Sequence, residues 1–212
     1  VATSTDGITW TGRNITQNNW NSVTHGAGVF VAVASNSNVA ATSTDGITWT
    51  GRTLPASANW RSVTFGAGVF LAVATGSTTA AATSTNGITW TSRTMPSAAN
   101  WNSVIFGGGL FVAAATDSPL ATSTNGITWT RPSVPGNATF NSVAHGAGTF
   151  VAVVGTTTAA SSTDGVTWTN RTIPSANWFS VRHAGSLFVA VAGNSSAGTT
   201  TAASSTDGIT WT

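Results

Sequence analysis

The sequence predicts an all-β fold, a β-propeller built from four-stranded antiparallel blades. A short motif ending in Trp returns at intervals of 39 to 43 residues, the segments between its copies have strand patterning, and one strand of each repeat is apolar on both faces. Periods near 40 residues are typical of propellers and of helical arrays. No segment has helical periodicity, and this favours the propeller.

The Trp motif divides the chain into repeats. It first stands as "STDGITWT" at Ser4–Thr11 and occurs six times, whereas the longer phrase typified by "WNSVTHGAGVFVAVA" occurs five times. The six tryptophans that end the motif are Trp10, Trp49, Trp90, Trp129, Trp168 and Trp211. The sequence therefore predicts five complete blades within 12–212, at 20–49, 60–90, 101–129, 140–168 and 178–211, preceded by a surplus two-stranded hairpin at 1–11.

The first blade illustrates the four expected strands. They cover residues 20–25, 29–34, 39–44 and 47–52, with a Gly-rich turn after the first strand. Asp45 and Gly46, between the third and fourth strands, form a pair typical of a two-residue hairpin turn with positive φ.

The second strand, "VFVAVA" in the first blade, decides the architecture. A strand that is apolar on both faces must be covered on both sides, and sheets stacked face to face around an axis provide that cover. An aromatic residue opens the first strand of every blade, and we interpret these residues as wedges between neighbouring blades, with an aromatic ligand cage as the alternative. They are Trp20, Trp60, Trp101, Phe140 and Trp178.

The motif "STDGITW" resembles the Asp-box of BNR-type repeats, which are found in sialidase-like propellers. In this chain the Gly follows the Asp directly, and the step from Asp to Trp is one residue shorter than in that family. The resemblance implies a sialidase-like architecture only, because the Asp-box of that family is a structural hairpin remote from the active site.

Composition excludes several classes of function. Only 6% of the residues are charged and the net charge is +2, with seven Arg spread along the chain. Nucleic-acid binding needs clustered cations, so we expect no such partner. No apolar run approaches the roughly 20 residues of a membrane span. The charge-poor sequence, rich in Ser, Thr, Gly and Asn, is typical of an extracellular or virion-surface protein.

The titratable residues do not form a catalytic pattern. The chain contains neither Tyr nor Glu, which a sialidase-like site requires, and four of its five Asp are turn residues, which leaves Asp117. The three histidines, His25, His145 and His183, occupy one repeat position at which other repeats have Phe65 and Phe106. We interpret that position as a packing site and expect no enzyme activity, no metal and no cofactor.

A recurrent set of Arg, Trp and Asn suggests equivalent sites between blades. Guanidinium and amide groups bind hydroxyls and an indole face stacks on sugars, so these residues could form a carbohydrate site. The alternative is structural, with each Arg covering a neighbouring Trp. The residues are Arg13, Arg52, Arg93, Arg171, Trp20, Trp60, Trp101, Trp178, Asn59, Asn100 and Asn177.

The surplus hairpin 1–11 needs cover, because an isolated two-stranded hairpin is marginally stable. Either it docks on its own ring or a neighbouring chain, or its missing first and second strands precede Val1 in a longer repeat array. The sequence thus predicts a structural, self-assembling propeller. The alternative is a multivalent lectin-like module that binds glycans through weak equivalent sites.

Overall fold

The structure is a computed structural model that describes residues 1–118, 120–193 and 201–212. Its secondary structure is β throughout, apart from one short 3-10 turn at Pro135–Asn137. In the described part of the chain, no helix is long and apolar enough to cross a membrane. The fifth predicted blade, 178–211, includes residues 194–200, which lie outside the described residues.

The described residues form nineteen strands. They are β1 (Ala2–Thr3), β2 (Thr11–Gly12), β3 (Trp20–Gly26), β4 (Val29–Ala34), β5 (Ser37–Ser43), β6 (Thr50–Gly66), β7 (Val69–Thr75), β8 (Thr78–Ser84), β9 (Thr91–Ala99), β10 (Trp101–Gly107), β11 (Leu110–Ala115), β12 (Ala121–Ser123), β13 (Ser142–Gly146), β14 (Thr149–Val153), β15 (Thr158–Ser162), β16 (Thr169–Thr172), β17 (Trp178–Ala184), β18 (Leu187–Ala192) and β19 (Ala202–Ser205).

The strands form antiparallel sheets in sequence order, and none of these sheets closes on itself. Strands β3–β9 make one seven-stranded sheet, because the long strand β6 pairs with β5 through its first part and with β7 through its second. The other sheets contain β1–β2, β10–β12, β13–β16 and β17–β19. We call the five segments predicted as blades repeats 1 to 5, in chain order.

The hairpin turns differ from the sequence prediction. The two-residue turn with positive φ lies between the first and second strands, at Ala27 (48°) and Gly28 (76°), where Gly26 pairs with Val29. The prediction of such a turn at Asp45–Gly46 is wrong, since the loop there runs from Thr44 to Trp49. The predicted fourth strand, 47–52, therefore begins only at Thr50.

The core lies between successive repeats. The second strands are buried on both faces in the interior repeats, as their apolar pattern predicts. One cluster joins Val31 and Val33 of repeat 1 to Trp60 and Phe70 of repeat 2, and the later repeats are joined by equivalent clusters. The aromatic residues that open the first strands of repeats 2 to 5 are therefore wedges between repeats, as expected. Trp20 belongs to none of these clusters.

A glycine ends the first strand of repeats 1 to 4 and permits this close packing. A Cβ on Gly26 would overlap the Phe65 ring of the next repeat, and a Cβ on Gly66 would overlap that of Phe106. Gly107 and Gly146 have the same relation to His145 and His183. In repeat 5 the glycine is replaced by Ala184, which is exposed, and none of the described repeats packs a ring against it.

Candidate functional site

The arginines of the predicted sites lie within their own hairpins. Each donates a hydrogen bond from Nε to a hydroxyl on the neighbouring strand ten residues earlier. The pairs are Arg13 to Thr3 (2.8 Å), Arg52 to Thr42 (2.9 Å), Arg93 to Thr83 (2.9 Å) and Arg171 to Ser161 (2.7 Å). These bonds fix each guanidinium across two strands.

The tryptophans of the predicted sites are largely covered by the core. Trp60, Trp101 and Trp178 are fully buried, and their indole N–H groups donate to main-chain carbonyls four residues earlier. A ligand cannot stack on these rings without opening the core. Trp20 is half-buried, because only the short hairpin β1–β2 precedes repeat 1.

Two asparagines of the predicted sites, Asn59 and Asn100, hold the turn that follows the second strand of the preceding repeat. Asn59 Oδ1 accepts the Asn36 N–H (3.2 Å), and Asn100 Oδ1 accepts the N–H groups of Gly76 (2.8 Å) and Ser77 (3.1 Å). In repeat 5 the equivalent residue is Asn177. Its main-chain carbonyl accepts the Gly193 N–H of the same repeat (2.9 Å).

Asp117, the carboxylate outside the Trp motifs, also has a structural partner. It accepts hydrogen bonds from both the N–H and the side-chain amide of Asn100, each at 2.7 Å.

One of the predicted combinations does line a cavity. Trp20 and Arg52 face a pocket of about 230 Å³ together with Trp49, Thr16 and Thr53. In this pocket the structure brings together Trp20 and Arg52, an accessible indole and an Arg that both belong to the predicted set.

The histidines lie at packing positions. His25, His145 and His183 each stack on the Phe of the neighbouring strand, with ring centroids 4.4 to 4.6 Å apart, as Phe65 and Phe106 do at 4.7 and 4.8 Å. Burial lowers the pKa of His145, and the nearby His183 lowers it further. Among the described residues, no group of three or more His, Asp, Cys or Glu could hold a metal ion.

A polar basin that the sequence prediction missed lies where the first strands of the five repeats converge. Its volume is about 230 Å³. Each repeat contributes the two residues that follow its wedge aromatic: Asn21 and Ser22, Arg61 and Ser62, Asn102 and Ser103, Asn141 and Ser142, and Phe179 and Ser180. Thr116 and Arg182 complete the lining. We call this site the axial basin.

The serines of the axial basin also join successive repeats. In repeats 1 to 4 the hydroxyl oxygen of this serine accepts a main-chain N–H from the next repeat. The pairs are Ser22 with Val63 (3.1 Å), Ser62 with Val104 (3.1 Å), Ser103 with Val143 (3.4 Å) and Ser142 with Val181 (3.2 Å). The sequence signal was the polar pair that follows the wedge aromatic in repeats 1 to 4, and the Ser two residues after it in all five repeats. That these residues form one site could not be inferred from the sequence, because it depends on the convergence of five segments about 40 residues apart.

Comparison with known proteins identifies the fold family. The family described as the DUF6242 beta propeller domain matches residues 51–211, which is more than half of the chain. The chain belongs to this family. The prediction of an all-β propeller fold is thereby confirmed. No curated protein matches the sequence.

Solved structures with the same architecture have low sequence identity. Virginiamycin B lyase from Staphylococcus aureus is 16% identical, with a TM-score of 0.77 over 88% of this chain and 68% of the lyase. For a streptogramin B lyase the identity is 13% and the TM-score 0.75, over 86% of this chain and 65% of the lyase. A structure of YCF48 bound to D1 peptide is 13% identical, with a TM-score of 0.66 over 94% of this chain and 71% of that chain.

These likenesses concern the fold alone. The chain spans about two thirds of the length of the two lyases. The lyases show that a propeller of this kind can carry an enzyme activity in another protein.

Proposed function

We propose that this chain is a non-enzymatic structural module whose copies associate end to end. In this proposal the five repeats are five blades and the hairpin at 1–11 is a surplus hairpin of the Asp-box type. The partner is a second copy of the chain. Its low charge supports an extracellular or virion-surface setting for the assembly.

One observation carries the proposal, the exposure of the second strand of repeat 5. Val189 is 40% exposed, whereas the equivalent residues of repeats 1 to 4, Val31, Leu71, Val112 and Val151, are 0% exposed. Leu187 and Val191 on the same face of β18 are exposed as well. Full burial of an exposed side chain of this kind is worth roughly 1.5–3 kcal/mol. Since the three residues are 39–45% exposed, covering them stabilises the contact by about 2–4 kcal/mol in total. An apolar face of this kind marks an interaction surface.

The opposite end of the stack supplies the complementary group. Trp10 of the N-terminal hairpin is 61% exposed, whereas Trp90 and Trp211 at the same motif position are at most 9% exposed. Trp90 packs in a cluster with Val31 and Val33 of the preceding repeat. Trp10 and the exposed face of β18 are therefore the two halves of a contact that recurs inside the chain.

Glycine contacts support the same pairing. A Cβ on Gly87 would lie 2.7 Å from Val31 of the preceding repeat. Among the described residues, no atom lies within 4 Å of the equivalent position on Gly7. Docking of the hairpin on β18 of a second copy would bring Gly7 over Val189. Residues 1–11 include no first strand, so the hairpin has no ring at the position that His25 and Phe65 occupy in repeats 1 and 2. Ala184 therefore does not obstruct docking of the hairpin.

The positions of the carboxylates support a non-enzymatic role. Asp6, Asp45, Asp164 and Asp207 each accept main-chain N–H groups within their own hairpin loops. Asp117 is engaged by Asn100. General acid–base catalysis by paired carboxylates needs two such groups flanking one bond.

Sedimentation analysis over a range of concentrations tests the assembly. We expect the mass of the wild-type chain to rise above 21.3 kDa with concentration, because head-to-tail contacts do not require closure. Val189→Asp places a charge in the contact and should leave a monomer. Ile127→Asp is the matched control, because Ile127 is equally exposed (49%) but lies in the hairpin of repeat 3, away from both ends.

Mixing two variants tests the direction of the contact. Val189→Asp keeps an intact hairpin, and Trp10→Asp keeps an intact β18 face, so the mixture should form dimers although each variant alone is monomeric. A wild-type chain that stays monomeric at every concentration contradicts the proposal, as does a Val189→Asp variant that assembles like the wild type.

Carbohydrate binding is the second candidate function, and the pocket between Trp20 and Arg52 favours it. Its indoles and guanidinium match the chemistry of a sugar site. Because the Trp of repeats 2, 3 and 5 are buried, the proposal is restricted to repeat 1.

Calorimetric titration with a panel of oligosaccharides tests this second function. Arg52→Ala should abolish saturable binding. Arg93→Ala should not, because Arg93 makes the same hydrogen bond in repeat 2, where the equivalent of Trp20 is the buried Trp60. Absence of binding across the panel, or equal losses in both variants, would count against a sugar site.

A further inference from the structure

The axial basin contains two cations without a carboxylate. Arg61 and Arg182 line it, and none of the described residues around it is acidic. They are two of only seven Arg in the chain, and the Arg of the four hairpins described above are bonded across strands elsewhere. Guanidinium groups converging on a concave site attract anions and bind oxyanions through charge-assisted hydrogen bonds.

The two Arg approach the basin from different repeats. Arg61 follows the wedge Trp60 of repeat 2, and Arg182 lies on the first strand of repeat 5. Arg182 donates through Nη1 to the Val181 carbonyl (2.9 Å) and the Ser142 hydroxyl (3.4 Å). These bonds hold the head group of Arg182 at the basin while its second terminal nitrogen can still donate to a ligand.

The asparagines of the basin offer hydrogen-bond acceptors, whereas the arginines offer donors. Asn21 and Asn141 donate their Nδ2 groups to the carbonyls of Trp60 (2.9 Å) and Trp178 (2.7 Å) of the following repeats. An amide fixed through its NH₂ group retains its carbonyl oxygen as an acceptor for hydroxyls. The basin thus combines cationic donors for an oxyanion with neutral acceptors for hydroxyl groups.

Size and wall chemistry limit the ligand further. The volume of about 230 Å³ is below the roughly 300–1,000 Å³ of pockets that hold drug-sized molecules. Phe179, which is 56% exposed, supplies an apolar surface in the lining, on which the carbon face of a small ring can pack.

We infer that the axial basin binds a small hydroxylated oxyanion, a sugar acid or a sugar phosphate, with Arg61 and Arg182 as the anion-binding groups. This inference does not depend on end-to-end assembly, because the anion would be bound by Arg61 and Arg182, whereas the assembly contact is made by the apolar side chains of β18 and by Trp10. Arg182 pairs with Val189 of β18, so Arg61→Gln is the variant that tests the basin apart from the assembly contact.

Calorimetric titration of the full chain tests the inference with glucuronate, glucose 6-phosphate, inorganic phosphate and neutral glucose. We expect saturable binding of glucuronate, glucose 6-phosphate or both, and binding of glucose weaker by about tenfold or more. The preferred anion distinguishes a sugar acid from a sugar phosphate. Inorganic phosphate should bind more weakly than either sugar anion, because it lacks the ring.

Variants separate the basin from general charge attraction. Arg61→Gln and Arg182→Gln should each weaken binding of the sugar anion by about tenfold or more, and each should retain the wild-type circular dichroism spectrum. Arg131→Gln removes an exposed cation outside the basin and should leave the affinity unchanged. Equal affinity in the double variant, equal binding of glucose, or no binding of either sugar anion at about 10 mM overturns the inference.

Discussion

The glycine at the end of the first strand is required here because it has no side chain, and not because of its conformational freedom. At Gly66 the constraint is the space beside the α-carbon, where the ring of Phe106 from the next repeat already lies. At Ala184 this constraint does not apply among the described residues, because no ring packs against this end of β17.

The substitution Gly66→Ala should destabilise the chain by about 1–3 kcal/mol, the usual cost of overpacking a core. Chemical denaturation measures the change. In a Phe106→Ala background, which removes the ring, the cost of Gly66→Ala should fall, and the difference gives the coupling energy of the pair. An equal cost in both backgrounds would mean that the overlap with Phe106 is not the cause.

The hairpin loop after the third strand is held by side chains. In repeat 1, Asp45 Oδ1 accepts the N–H groups of Thr48 and Ile47 at 2.8 Å each, and the Ser43 hydroxyl donates to it at 2.9 Å. These three donors stabilise the carboxylate and lower the pKa of Asp45 to about 2. Asn86 accepts the same two main-chain bonds through its amide oxygen, so the loop does not require a charge.

The hairpin loops should make the stability of the chain depend on pH. The pKa of Asp45 is lowered from 3.8 to about 2, so its contribution is present above about pH 4 and is lost as the pH falls through 2. In Asp45→Asn the free energy of unfolding should fall less over this range. Denaturation curves between pH 2 and 7 measure it.

The reverse substitution serves as the control for this effect. Asn86→Asp should increase the loss of stability below pH 4, since its loop offers the same donors. Identical pH profiles for Asp45→Asn and the wild type would show that the loop does not favour the charged form.

The difference between predicted and observed hairpins has a physical cause. An Asp-Gly pair between apolar runs favours a two-residue turn, but the Asp is preceded by Ser43 two positions earlier, and both side chains compete for the main-chain N–H groups. The loop therefore extends to Trp49, and the fourth strand starts later than its β-branched sequence suggests.

At the scale of the whole molecule, the repeat pattern alone was sufficient to predict the stack of sheets. The period, the two-faced second strand and the wedge aromatics all depend on local sequence. The axial basin could not be predicted in the same way, because Asn21, Arg61 and Asn141 are distant in sequence. They come together only through the angles between successive sheets.

The two ends of the stack differ, although the repeats are similar. Val23 of repeat 1 is exposed where its equivalents are buried, beside a hairpin without first and second strands. Repeat 5 exposes β18 and carries Phe179, Arg182 and Ala184 at positions where other repeats have different residues. The distinct chemistry of repeat 5 was not predicted from the sequence, because the role of these residues depends on the neighbours that the fold places beside them.

Ala184 also limits how the array can be lengthened. Duplication of an interior repeat would place each new aromatic beside a glycine, as at Gly66 and Phe106. A full repeat appended after repeat 5 would instead press its His or Phe against the Ala184 methyl group. The packing therefore tolerates a repeat with His or Phe at that position after each of repeats 1 to 4, and opposes such a repeat directly after Ala184.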